Sequence, residues 1–174
     1  GPEACPSAMV HHTLLLLRHG IAEERRPGLD DGERALTPRG RSRTRAVLDR
    51  LVDRGLGADR LISSPLLRAV QTAEIAVLAG LAAAVEFDAV LAPGGDARAS
   101  LEGWLRPGGD RSGSLPQRLL LVGHEPDLST LAARLLKAPA GVLSLRKAGI
   151  AQLALPLEDP LAGGQLELLL RPSL

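Results

Sequence analysis

Short apolar runs alternate along this chain with longer stretches in which apolar residues recur at helical spacing. The short runs predict six strands, at residues 13–17, 61–63, 85–87, 119–122, 150–155 and 165–170. The first and fourth are almost wholly aliphatic, as expected for strands that helices cover on both faces. Strands that alternate with helices indicate an α/β protein with a mostly parallel sheet.

The intervening stretches predict four helices. The first begins at Thr37-Pro38, a capping residue followed by proline, and ends by Gly55; the second begins with the same signal at Ser64-Pro65. The third and fourth cover residues 96–105 and 126–136, and a loop rich in Gly, Ser and Pro covers 106–117. The last two strands form a predicted hairpin through residues 156–164. We therefore expect a three-layer sandwich, with helices on both faces of a mostly parallel sheet and an antiparallel edge.

Composition limits the function classes. The chain has 174 residues, a formal net charge of +1, 45% hydrophobic and 24% charged residues, which indicates a soluble globular protein. Balanced charge argues against a nucleic-acid partner, and no apolar run approaches the roughly 20 residues that cross a membrane. Cys5 alone cannot form an internal disulfide, so we expect a cytoplasmic protein. We interpret residues 1–9 as a flexible leader, partly left from cloning, and 10–174 as one domain.

Basic side chains follow three of the predicted strands. Arg18 and His19 follow the first, Arg68 lies in the helix after the second, and His124 follows the fourth. All four fall at the carboxyl edge of a parallel sheet, where open α/β proteins bind ligands. Each residue alone is compatible with a structural role. Together they predict a pocket for a tetrahedral anion, because arginine binds phosphate bidentately and helix N-termini favour anions.

Four ordered motifs carry a resemblance to a known family. They are LRHG at 17–20, LTPRG at 36–40, SSPLLRAVQTA at 63–73 and VGH at 122–124. On these motifs the chain resembles the histidine phosphatase superfamily, whose fold is phosphoglycerate mutase-like. Its small size and the stretch LAPGGD at 91–96 are most similar to the SixA-type phosphohistidine phosphatases.

The resemblance implies a mechanism. His19 would be the nucleophile that takes up the phosphoryl group, and Arg18, Arg68 and His124 would bind the phosphate. Neutral imidazole is a competent nucleophile near pH 7, and phosphoryl transfer mainly requires positioning and positive charge. The mechanism needs no metal and no cofactor. The adjacent pair His11-His12 is interpreted as solvated or incidental rather than as metal ligands.

No carboxylate stands out as a general acid. The candidates are Glu23, Glu86, Asp88 and Glu125, and none lies in a matched motif. A phosphoramidate leaves as imidazole, which needs less protonation than an alkoxide, so a weak acid signal favours a phosphohistidine substrate. The short segment between residues 87 and 119 also predicts an open pocket that admits a phosphorylated side chain of another protein.

Three functions remain open at this point. The leading hypothesis is a phosphatase for phosphohistidine in a signalling or phosphotransfer protein. The alternatives are a broad-specificity phosphatase of small phosphate esters and a non-catalytic phosphoprotein-binding module. Neither nucleic acid nor a membrane is an expected partner.

Overall fold

A mixed six-stranded sheet forms the centre of the described residues, which in this computed structural model are 10–106 and 115–172. The strands are β1 (His11–Arg18), β2 (Arg60–Ser63), β3 (Glu86–Phe87), β4 (Arg118–Gly123), β5 (Ile150–Pro156) and β6 (Gln165–Leu170). Their order is β3-β2-β4-β1-β5-β6. The first four are parallel, whereas β5 pairs antiparallel with both β1 and β6. The proposed leader and most of the predicted 106–117 loop lie outside the described residues.

Helices cover both faces of this sheet. They are α1 (Pro38–Asp53), α2 (Leu67–Ala79), α3 (Leu101–Leu105) and α4 (Asp127–Leu135). Leu14 and Leu16 of β1 pack in one core with residues of α3 and α4, while Leu15 and Leu17 pack in the other with residues of α1 and α2. This division follows from the alternation of side chains along a strand. The predicted three-layer α/β sandwich with an antiparallel edge is confirmed.

Two predicted helix starts differ from the structure. The second helix begins at Leu67, not at Ser64-Pro65, because the Ser64 hydroxyl accepts the Leu66 N–H at 3.2 Å and holds a turn there. Arg68 therefore lies in the first turn of α2. The third begins as a 3₁₀ turn, Ala97–Ser100, capped by Asp96, and becomes α-helical only over Leu101–Leu105. No helix among the described residues is long and apolar enough to span a membrane.

The interpretation of His12 as solvated is wrong. Its side chain is fully buried, at the amino end of β1 and so at the opposite edge from Arg18. Nδ1 accepts the N–H of Gln117 at 3.0 Å, so the proton lies on Nε2, which donates to the Leu157 carbonyl at 3.2 Å. Burial lowers the pKa of His12. It is a neutral core residue that joins three segments of the chain. His11 is half-exposed, with Nε2 4.0 Å from the Glu167 carboxylate.

Candidate active site

Strand register brings the predicted site residues together. Arg18, the last residue of β1, is aligned with Gly123, the last of β4. The next residues, His19 and His124, therefore start neighbouring loops. The backbone N–H of His19 donates to the Gly123 carbonyl at 3.1 Å, and the two imidazole rings have centroids 5.2 Å apart.

His19 is buried and held in one orientation. Its Nδ1 lies 2.7 Å from the Gly20 carbonyl, an atom that can only accept, so Nδ1 carries the proton. Nε2 then has a free lone pair. Burial lowers the pKa of His19 to about 3, and the nearby His124, Arg68 and Arg18 act in the same direction against the Gly20 hydrogen bond. The ring is therefore neutral at pH 7, which is the state in which Nε2 can act as a nucleophile.

His124 faces His19 with one nitrogen unused. Its Nε2 lies 2.7 Å from the Ser64 hydroxyl, while Nδ1 is buried and has no hydrogen-bond partner among the described residues. Burial, followed by the charge of Arg68, lowers the pKa of His124 to about 4. Buried polar atoms are normally hydrogen-bonded, so the unpaired Nδ1 points to a ligand contact.

Arg68 is paired with a carboxylate that sequence reasoning missed. Its Nη1 donates to the Asp31 backbone carbonyl at 2.8 Å and its Nη2 to the Asp31 carboxylate at 3.1 Å. Arg34 Nε donates to the same carboxylate at 2.9 Å. Arg68 is 3% exposed and its Nε has no partner among the described residues, so part of the guanidinium is free for an anion. The signal available in the sequence was the Asp31/Arg34 spacing in an otherwise irregular polar stretch.

Arg18 is held by a second set of contacts, which involves Leu145 and Glu125. Its Nη1 donates to the Leu145 carbonyl at 3.0 Å, and Glu125 accepts the Leu145 N–H at 3.2 Å and the Ser129 N–H at 2.8 Å. Burial lowers the pKa of Arg18, and the charge of Glu125 opposes that shift. The guanidinium stays charged at neutral pH because arginine ionises far above it.

Two glycines let the site loop pack against helices. A Cβ on Gly20 would lie 2.2 Å from Thr44 Oγ1, and a Cβ on Gly40 would lie 2.1 Å from the Ile21 carbonyl oxygen. Only glycine fits either contact. The Gly20 N–H also donates to Thr72 Oγ1 at 3.0 Å, which connects the loop to α2. The glycines of the LRHG and LTPRG motifs thus let the loop after β1 pack closely against α1.

Comparisons with known proteins agree with this geometry. The sequence model of the histidine phosphatase superfamily (branch 1) matches residues 14–92, which contain Arg18, His19 and Arg68. The structure of the protein histidine phosphatase SixA complexed with tungstate is 25% identical, with a TM-score of 0.77 over 92% of this chain and 97% of that one. The chain belongs to the histidine phosphatase superfamily. Its closeness to SixA confirms the resemblance drawn from the four motifs.

Two further proteins place this histidine phosphatase among its relatives. An uncharacterized protein of Picosynechococcus is 42% identical over 138 residues, which are 79% of this chain and 81% of that protein. The structure of a mycobacterial glucosyl-3-phosphoglycerate phosphatase complexed with VO3 is 21% identical to this chain. The structural match covers 93% of this chain and 100% of that one, with a TM-score of 0.69. The latter shows a shared fold. Membership in the superfamily and the likeness to SixA support phosphatase activity.

The histidine phosphatase holds three of its four candidate acids in other contacts. Glu86 forms two hydrogen bonds with Arg60, at 2.7 and 2.8 Å, on the surface. The Asp88 carboxylate accepts the Val90 N–H at 2.9 Å, and Glu125 is engaged as described above. Glu23 differs, since its side chain makes no hydrogen bond or ion pair with the described residues. Among residues 10–106 and 115–172, no three His, Cys, Asp or Glu side chains cluster as metal ligands would.

Proposed function

We propose that this phosphatase removes the phosphoryl group from phosphohistidine in a protein substrate, through a covalent intermediate on Nε2 of His19. The observation that supports this proposal most directly is the hydrogen bond from His19 Nδ1 to the Gly20 carbonyl at 2.7 Å. It fixes the proton on Nδ1 and leaves the Nε2 lone pair as the nucleophile. Because burial lowers the pKa of His19 to about 3, Nε2 is unprotonated and its lone pair is available at neutral pH.

The surrounding groups suit a phosphoryl group in transfer. Arg18 and Arg68 supply positive charge to the equatorial oxygens, and the unpaired Nδ1 of His124 supplies a further contact. In the first step the Nε2–P bond forms as the P–N bond to the substrate imidazole breaks. In the second, water attacks phosphorus and the Nε2–P bond breaks. The products are inorganic phosphate and neutral His19.

The state of the carboxylates supports phosphohistidine as the substrate. When the second ring nitrogen of a phosphohistidine is protonated, the substrate side chain leaves as neutral imidazole, and no general acid is needed. Glu86, Asp88 and Glu125 are held in other contacts, which fits that requirement. The unpartnered side chain of Glu23 favours the second candidate, a phosphatase of small esters, because an alkoxide leaving group needs an acid.

The nucleophile is tested by trapping the intermediate. Enzyme mixed with a phosphohistidine peptide and denatured in alkali should retain protein-bound phosphate that acid releases, with His19 as the modified residue. His19→Ala should trap none and lose hydrolysis, whereas His11→Ala, a half-exposed histidine at the other sheet edge, should trap as much as the wild type. Equal trapping by His19→Ala excludes this nucleophile.

The substrate class is tested by comparing rates. The wild type should hydrolyse a phosphohistidine peptide with a higher kcat/KM than any member of a panel of sugar phosphates and p-nitrophenyl phosphate. Equal or faster turnover of a sugar phosphate would favour the small-ester phosphatase. Phosphate binding without turnover of either class would favour a non-catalytic module.

A further inference from the structure

A cavity beside the candidate active site lies at the same edge of the sheet as His19, on the side of β5 and β6. Its volume is about 580 Å³, and its walls come from the end of β1, the first turns of α1, the segment before β5 and the segment after β6. Because β6 runs parallel to β1 and β5 antiparallel, all four segments meet at the carboxyl edge of β1. Arg18 lines this cavity and directly precedes His19 in the chain.

The walls of this cavity carry cationic side chains and no acidic one. Five cations line the cavity and no acidic residue does: Arg18, Arg43, Arg146, Lys147 and Arg171. The last four form no ion pair with the described residues, although Arg34, Arg45 and Arg60 elsewhere in the chain each pair with a carboxylate. Cations that surround a cavity in this way attract an anionic ligand.

We propose that this cavity is a docking subsite for acidic residues beside the phosphorylated histidine of the protein substrate. This rests on the proposed function. A phosphoryl group held by Arg18 and His19 places the neighbouring residues of its own chain next to the cavity, since Arg18 belongs to both sites. The exposed cations Arg146, Lys147 and Arg171 lie on two separate segments and suit several carboxylates of an extended chain.

The test uses two synthetic peptides with a central phosphohistidine, one flanked by two Glu on each side and the other by two Gln. The measured quantity is the ratio of kcat/KM for the Glu peptide to that for the Gln peptide. Two exposed ion pairs change such a ratio by about 2- to 30-fold. The double variant Arg146→Gln, Lys147→Gln should therefore lower the wild-type ratio toward one, and added NaCl should have the same effect.

The matched control removes two exposed charges at the opposite edge of the sheet. Arg54 follows the end of α1 and Arg118 begins β4. The double variant Arg54→Gln, Arg118→Gln should keep the wild-type ratio. A wild-type ratio of one, or an equal fall in both double variants, would overturn the subsite.

A second measurement separates this proposal from the proposed function. Binding of the unphosphorylated Glu peptide requires no hydrolysis. If neither phosphopeptide is hydrolysed, the phosphohistidine assignment fails, and tighter binding of this peptide by the wild type than by Arg146→Gln, Lys147→Gln still supports the subsite. Equal binding overturns it. A charge-dependent preference for fructose 1,6-bisphosphate over fructose 6-phosphate, with no preference between the peptides, would also overturn it and assign the cavity to a second phosphate.

Discussion

Arg68 is held by both the backbone and the side chain of Asp31, with Nη1 2.8 Å from the carbonyl oxygen and Nη2 3.1 Å from the carboxylate. Burial would raise the pKa of Asp31, but Arg68 and Arg34 outweigh it and the pKa is lowered. Asp31 is therefore an anion at neutral pH that fixes the orientation of Arg68, which we propose binds phosphate. We interpret it as a positioning residue.

Replacement of Asp31 by Asn tests this role. Asp31→Asn keeps the backbone contact and loses the charged one, so Arg68 is less well oriented for phosphate. Because Asp31 is partly exposed, we expect about a fivefold loss in kcat/KM, mainly through KM. Asp30→Asn removes an adjacent exposed charge and should keep the wild-type value. Equal kinetics for the two variants, or a loss in Asp31→Asn that only follows a lower Tm, would contradict the assignment.

The buried histidines should make the fold sensitive to mild acid. Unfolded histidine titrates near pH 6.5, whereas the folded pKa is about 3 for His19 and about 4 for His124. Burial lowers that of His12 as well. At pH values between the folded and the unfolded pKa, the unfolded chain binds more protons than the folded one. The free energy of unfolding therefore has its full value above pH 6.5 and falls as the pH decreases below it. We expect a loss of about 2–4 kcal/mol in the free energy of unfolding between pH 7.5 and 5.

Urea denaturation at several pH values measures that loss. The double variant His19→Asn, His124→Asn removes two of the three titrating groups, so its stability should depend less steeply on pH over the same range. His11→Asn, which removes a half-exposed histidine, should keep the wild-type slope. An unchanged slope in the double variant would exclude burial of these two rings as the cause.

The backbone contact at Gly40 should tolerate no side chain. Gly40→Ala places a Cβ 2.1 Å from the Ile21 carbonyl oxygen, so α1 or the loop after His19 must shift. We expect a loss of about 2–4 kcal/mol in the free energy of unfolding, together with lower activity. Gly103→Ala, on α3 with no atom near the added Cβ, should be neutral or stabilising by about 0.5–1 kcal/mol. Similar stabilities for the two variants would refute the close contact.

The candidate acids should differ in their effect on two substrates. On a phosphohistidine peptide, Glu23→Gln and Glu86→Gln should both retain the wild-type kcat/KM, because an imidazole leaving group needs no acid. On sugar phosphates, whose alkoxide leaving group needs a proton, Glu23→Gln is the variant expected to lose activity, since its side chain makes no hydrogen bond or ion pair with the described residues. On p-nitrophenyl phosphate, whose phenolate leaves without a proton, Glu23→Gln should retain activity. A large loss for Glu86→Gln on either substrate would contradict its role as a surface partner of Arg60.

The parts of the site that strand order determines were predictable. Arg18 ends a buried strand, His19 and His124 directly follow buried strands, and parallel strands that share a sheet place their carboxyl ends together. The division of the hydrophobic core between the two faces of the sheet was also predictable, because the leucines of β1 alternate between two cores. The exact helix starts were not, since Ser64 caps a turn where the same signal at Thr37 caps a helix.

By itself, the sequence determined the α/β fold, the sheet edge at which the candidate site lies and the residues that meet there, because these follow from local periodicity and strand direction. Only the tertiary structure decided which groups hold those residues. Asp31 reaches Arg68 across 37 positions, and His12 bonds to Gln117 and Leu157 across 105 and 145. The cations that line the cavity beside β5 and β6 also come from segments far apart in the sequence. Hydrogen bonds and charges between distant segments leave no periodic signal, so their partners are defined only once the chain has folded.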